Sequence, residues 1–178
     1  MSDGPRLKPT TEDDWDDETR EYLDALGHLN IFDTLAHHPK LLKRWLVFGG
    51  HVLSKSTLPA REREMVILRT GWLCGSEYEF GQHMVLGAQV GITDDEIARL
   101  TAAGSDGWPD ADAELVTATD ELVGDHVLSD SSWAALNERW TTQQVLDLIF
   151  TVGQYTLVST ALRSLGVELD DGTPGWPT

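Results

Sequence analysis

Glu79 and His83 stand four residues apart in SEYEFGQH, a spacing that puts a carboxylate and an imidazole on one helix face. A carboxylate accepting the imidazole N–H fixes the tautomer and raises the basicity of the ring. Glu64 can join them if the chain turns back at Gly75. It lies eleven residues before that turn and His83 eight after it, a mismatch of three residues, or about 4.5 Å at the helical rise. Two carboxylates beside an imidazole make a proton-transfer site, because crowding and partial burial move such groups toward neutral pKa values. Arg69 is the candidate for holding a substrate carboxylate or an enolate oxygen. Ser76 and Tyr78 offer hydroxyls near the turn, Trp72 a wall, and His51 is kept as a further pocket residue.

The same residues have a plainer reading. A Glu–His pair at this spacing is more often a local interaction than a catalytic dyad, and Arg69 can simply neutralise a buried Glu64. Trp72 and Tyr78 can serve packing alone. His37 and His38 precede Pro39 as helix-end residues, while His28, His51 and His126 lack an obvious carboxylate partner at four-residue spacing. With no H-x-x-x-H or H-E-x-x-H pattern, no metal is expected.

Helices must position these groups, and the punctuation of the chain marks them. Glu18 to Leu29 and Ile31 to His37 form the first two. Pro39 opens a third that runs to about Leu53 with Leu42, Trp45, Leu46, Phe48 and Val52 as its apolar stripe. Pro59 opens the next, with Thr57 as its cap and the buried run Met65 to Leu68 inside it. Ser76 to Val90 follows, where Gly81 and Gly87 allow another backbone to approach. Thr93 with Glu96 and Thr141 with Gln144 are capping boxes for later helices. Ala111 to Leu128 and Ser131 to Trp140 form two more, and the last helix is apolar nearly all round, so it needs cover on most sides. This gives an extended arm over residues 1–15, one all-helical domain over 16–169 and an irregular tail over 170–178, with Trp15 and Trp176 expected to pack.

Composition narrows the partners. The chain holds 13 Lys and Arg against 30 Asp and Glu, a net charge of -17, which repels nucleic-acid phosphates and anionic membranes. A small anionic substrate needs a local cation or a neutral pocket. Cys74 is the one cysteine, so the chain can form neither an internal disulfide nor a multi-thiol metal site, and a reducing, cytoplasmic setting is expected. The first twenty residues lack the apolar core of a signal peptide, and no stretch is expected to reach the roughly 20 apolar residues of a membrane span.

From about Leu35 to Leu100, through LAHHPKLLKRW, LPAREREM and SEYEFGQH, and again at TVGQYTLVSTAL, the sequence resembles the carboxymuconolactone decarboxylase family, which includes the alkylhydroperoxidase D-like proteins. The resemblance implies an all-α, single-domain helical bundle of the alkylhydroperoxidase D-like type. Redox members carry C-x-x-C-x-x-x-H with an upstream glutamate. Counted back from His83, the two thiol positions fall on Ser76 and Glu79, Glu64 matches the upstream acid, and Cys74 falls two residues before the first thiol. The dithiol that a peroxidatic cycle of this type needs is absent. Resemblance to the decarboxylase members implies His83 as proton donor or acceptor, Glu79 as its partner, Glu64 as a second acid and Arg69 as the anion-binding group. It also implies a small oxygenated or lactone-type substrate and no cofactor. With the apolar last helix, it points to a homo-oligomer of two, three or six subunits. Three functions stay open in order: a cofactor-free lyase or isomerase, a catalytically silent binding or structural protein, and a peroxidase.

Overall fold

The computed structural model describes residues 4–177, and these form nine α-helices with no strand among the described residues. They are α1 (Asp17–Leu26), α2 (Asn30–Leu35), α3 (Pro39–Ser54), α4 (Ala60–Leu73), α5 (Glu77–Gln89), α6 (Asp94–Thr101), α7 (Asp110–Gly124), α8 (Asp130–Arg139) and α9 (Thr142–Leu165). The expected all-α bundle is therefore the fold. Both capping boxes form: Thr93 accepts from the Glu96 N–H and Thr141 from the Gln144 N–H, while each N3 side chain returns to the cap backbone.

Several boundaries differ from expectation for local reasons. α1 stops at Leu26 because Gly27 takes the left-handed conformation (φ 90°), which residues with a Cβ seldom adopt. α7 ends at Gly124 rather than Leu128, with Asp125 as its cap and His126 turning the chain at a φ of 62°. Thr57 does not cap α4; its N–H and hydroxyl both donate to the Asp147 carboxylate, and Pro59 occupies the cap position with no side-chain bond.

α4 is the centre of the bundle. Every residue from Glu64 to Gly71 is buried, because α5, α6, α7 and α9 all pack around it. That is why its apolar residues form a run rather than a stripe. On one side Val66 joins Leu115, Ala118, Leu148 and Val152; on the other Met65 and Leu68 join Phe80, Leu100 and Val116. α9 corrects the expectation about spans: by length and composition it is apolar enough to cross a membrane. Half of that stretch is buried inside the bundle, against α3, α4 and α7, which is the setting of a core helix.

Both ends of the chain are tied down. Arg6 and Leu7 donate their N–H groups to the Leu165 carbonyl, and Thr10 to that of Asp33. Beyond α9 the chain crosses α5. Asp170 accepts from the Asn30 N–H, the Tyr78 hydroxyl and the Gln82 amide, and the half-buried Trp176 packs on Trp72 and Phe80. The crossing needs Gly81, where a Cβ would overlap the Pro174 carbonyl oxygen; Gly87 instead meets the side chains of Ile92 and Leu68. Trp15, also half-buried, donates its indole N–H to Thr10 and stacks on His28. Residues 1–3 of the arm and Thr178 of the tail lie outside the described residues.

Candidate functional site

The turn between α4 and α5 sets the register of the site. Gly75 is left-handed (φ 64°), the Ser76 N–H donates to the Gly71 carbonyl and the Gly75 N–H to that of Trp72. This is a Schellman ending, which closes α4 and reverses the chain within a few residues. With that reversal, Glu64 of α4 and His83 of α5 meet.

His83 Nδ1 lies 2.6 Å from Glu64 Oε2, and Nε2 lies 3.1 Å from Glu79 Oε1, so the imidazole has a carboxylate at each nitrogen. All three are nearly sealed from solvent, with relative exposures of 1% for Glu64, 4% for His83 and 6% for Glu79. Burial opposes charge on the ring, but hydrogen bonding to Glu64 and Glu79 outweighs it and pushes the imidazole from its ordinary 6.5 up to about 9. That shift favours the imidazolium form of the ring, with an acceptor oxygen at each nitrogen. The half-buried Arg63, 3.4 Å from Glu64 Oε1, adds a second positive charge beside the cluster.

Tyr155 of α9 completes the surroundings. Its ring meets the imidazole edge-on, with centroids 4.9 Å apart and planes at 89°. Burial, then the charges of Glu79 and Glu64, hold its phenol well above its ordinary value of 10, so it remains a neutral O–H. Sequence reasoning placed Tyr155 only among the apolar residues of the last helix. The available signal was a tyrosine on a buried face that also carries Thr151, Gln154 and Ser159, where its O–H must find polar surroundings.

The other candidates go elsewhere. Arg69, expected to bind a substrate anion, is buried with its donors already engaged: Nε and Nη2 donate to the two oxygens of Asp120 (2.6 and 2.8 Å), and Nη1 to the carbonyls of Leu100 and Ala102 (2.7 and 2.5 Å). Nor does Arg69 neutralise Glu64; Arg63 is the cation beside it. Tyr78 donates to Asp170 and accepts from the Ile31 N–H, which ties down the tail. Trp72 packs against both Phe80 and Trp176, which also touch each other. His51 is exposed on α3 and stands 3.6 Å from Asp147, outside the cluster. Ser76 sits at the turn, buried, with its Oγ lacking a hydrogen-bond partner. His28, read as lacking a carboxylate, has Asp24 one turn earlier at 2.9 Å. Among the described residues no group of three or more His, Cys, Asp and Glu is arranged to hold a metal ion.

Chemically, the cluster can store one proton and exchange it between two carboxylates through a ring whose orientation both of them fix. Cys74 is not part of it. Its thiol donates to the Thr156 hydroxyl at 3.9 Å, while both ring nitrogens of His83 face carboxylates.

Comparison with known proteins agrees with this architecture. Residues 39–121 match the carboxymuconolactone decarboxylase family. Among solved structures, an uncharacterized peroxidase-related protein from Silicibacter sp. TM1040 superposes with a TM-score of 0.81 at 14% identity, over 97% of each chain. A peroxidase-related protein from Ralstonia eutropha JMP134, described as an alkylhydroperoxidase AhpD core, gives 0.77 at 20% identity, over 96% of this chain and 95% of that one. The debrominase Bmp8 in complex with 2,3,4-tribromopyrrole gives 0.77 at 11% identity, with the same coverage. At these identities the likeness is one of fold. No curated protein matches the sequence.

Proposed function

We propose that the chain, whose residues 39–121 match the carboxymuconolactone decarboxylase family and which holds one imidazole between two carboxylates, is a cofactor-free acid–base enzyme. Its substrate on this reading is a small oxygenated or lactone-type carboxylic acid. The observation that carries the proposal is the placement of both His83 nitrogens, 2.6 and 3.1 Å from Glu64 and Glu79. His83 is the proton carrier. Glu64 orients the ring from α4, and Glu79, the least sealed of the three, stands between ring and substrate. Loss of CO2 leaves an electron pair on carbon that an imidazolium can protonate. The neutral Tyr155 O–H, whose ring meets the imidazole edge-on, is the donor for a developing oxyanion. A dithiol peroxide cycle is not supported, since the chain has one cysteine.

The test is steady-state turnover of small lactone acids and of an alkyl hydroperoxide by wild type and His83→Gln, with circular dichroism confirming equal helicity. The expected result is lactone-acid turnover that falls by about 10² in the variant. Turnover retained by a folded His83→Gln chain would remove the mechanism. The sealing of Glu64 and His83 favours a second reading, a catalytically silent protein whose cluster serves only to hold α4 to α5. On that reading neither form turns over any substrate.

The assembly is proposed to be a homo-oligomer. Val47 and Phe48 of α3 and Leu146, Phe150 and Leu157 of α9 form an exposed apolar face, with the Phe48 and Phe150 rings meeting edge to face. Light scattering that finds only a 19.7 kDa species at micromolar concentration would refute this. A reducing, cytoplasmic setting belongs to the same proposal and rests on the unpaired Cys74.

A further inference from the structure

Toward the C-terminal end of α9 the surface opens into a cleft of about 460 Å3. Arg6 from the arm and Arg163 from α9 line it, together with Thr156, Ser159, Thr160 and Cys74. No carboxylate lines it, in a chain whose net charge is -17. Arg20, Lys43, Arg61, Arg63, Arg69 and Arg139 each stand against an acidic side chain. Arg6 and Arg163, as Arg44 and Arg99 do elsewhere, donate to backbone carbonyls: Arg6 to Ser164 at 3.3 Å and Arg163 to Cys74 at 2.6 Å. Each therefore keeps guanidinium N–H groups without a carboxylate among the described residues.

Ser159 supplies the second observation. It is 1% exposed, and its Oγ has no hydrogen-bond partner. Thr160, one residue on, returns its hydroxyl to the Thr156 carbonyl, the usual way a helical hydroxyl is satisfied; Ser159 does not do this. A buried hydroxyl left unpaired beside two cations is an arrangement that a ligand with acceptor oxygens completes.

We propose that this cleft binds a small oxyanion, a phosphate or a carboxylate. Arg163 and Arg6 supply charge and forked N–H donors, and Ser159 Oγ–H and the Thr156 hydroxyl supply neutral donors. The site is separate from the acid–base cluster: Ser159 lies one turn beyond Tyr155 on α9, but Glu64, Glu79 and His83 do not line the cleft. Binding here stands or falls independently of any turnover.

Cys74 makes the proposal measurable, because the chain's one thiol reports from inside the cleft. An anion beside it disfavours the thiolate and obstructs approach, so alkylation by iodoacetamide slows. Wild type is titrated with inorganic phosphate and, in a second arm, with succinate, at constant ionic strength set with chloride, following calorimetric heat and the alkylation rate. The expected result is saturation at one anion per chain, slowed alkylation, and affinity weakened about tenfold or more in Ser159→Ala and Arg6→Gln. Arg163→Gln is expected to weaken it further. Should loss of its bond to the Cys74 carbonyl unfold that variant, the other two decide. Saturation by one arm alone identifies phosphate or carboxylate as the ligand. Failure of both arms to saturate, or variants that bind like wild type, would overturn the proposal.

Discussion

Glu64 and Arg69 leave α4 five residues apart, both buried and both charged in their ordinary states, yet they meet opposite kinds of partner. Arg69 faces Asp120 of α7 and the Leu100 and Ala102 carbonyls at the C-terminal end of α6, a set made up only of hydrogen-bond acceptors. A guanidinium cannot release its proton in a protein, so this cluster has one state. Glu64 faces an imidazole that can release its proton, with a second carboxylate beyond it, so this cluster has more than one. Burial and charge alone do not mark a chemical site; an exchangeable proton between partners does.

The sharpest way to break this contrast is Arg69→Ala. It leaves two carbonyls without donors and Asp120 without its cation, and stability should fall by about 3–5 kcal/mol in urea unfolding. The lower end is expected, because the Asp120 side chain retains 30% exposure and water can reach it. A variant as stable as wild type would show that the Arg69 cluster does not anchor α7.

The pH dependence separates the two clusters without touching Arg69. The His83 imidazole is raised from 6.5 to about 9 in the folded chain. A raised group contributes stability that is fully present below pH 6.5 and is lost as pH climbs through about 9. Melting temperatures of wild type and His83→Gln, measured from pH 6 to 10, should therefore converge toward the alkaline end. A constant difference across that window would mean that the imidazole proton does not link to folding.

Smaller effects refine the picture. Tyr155→Phe keeps the edge-on ring against His83 and removes only the O–H, so stability should change little while turnover drops roughly tenfold. Unchanged turnover would leave Tyr155 as packing alone. Cys74→Ser, which keeps a donor for Thr156, should shift stability by less than about 0.5 kcal/mol and leave turnover as it was. Loss of peroxide reduction in that variant would instead revive thiol chemistry.

What could be read from the sequence was local or followed from one reversal of the chain. The capping boxes at Thr93 and Thr141 are decided within four residues, and the Glu64–His83 encounter needs only two helices and a glycine turn. What could not be read depends on distant segments. Asp120 lies 51 residues from Arg69, and nothing in the hairpin window announces that α7 will claim the guanidinium. Tyr155 reaches His83 only because α9 packs along α4 and α5. Asp24 stands to His28 at the same four-residue spacing as Glu79 to His83, so this pair was legible in the sequence even though His28 itself lies beyond the end of α1.

The crossing of the C-terminal segment over Gly81 also orders events in time. Synthesis runs from Trp15 toward Trp176, so α4, its turn and α5 emerge from the ribosome well before the segment that lies across them. Pro174 follows Gly81 by about ninety residues, roughly 5–20 s of translation. Through that interval the outer side of α5, with Tyr78 and Gln82 still lacking Asp170, faces water and has no cover of its own.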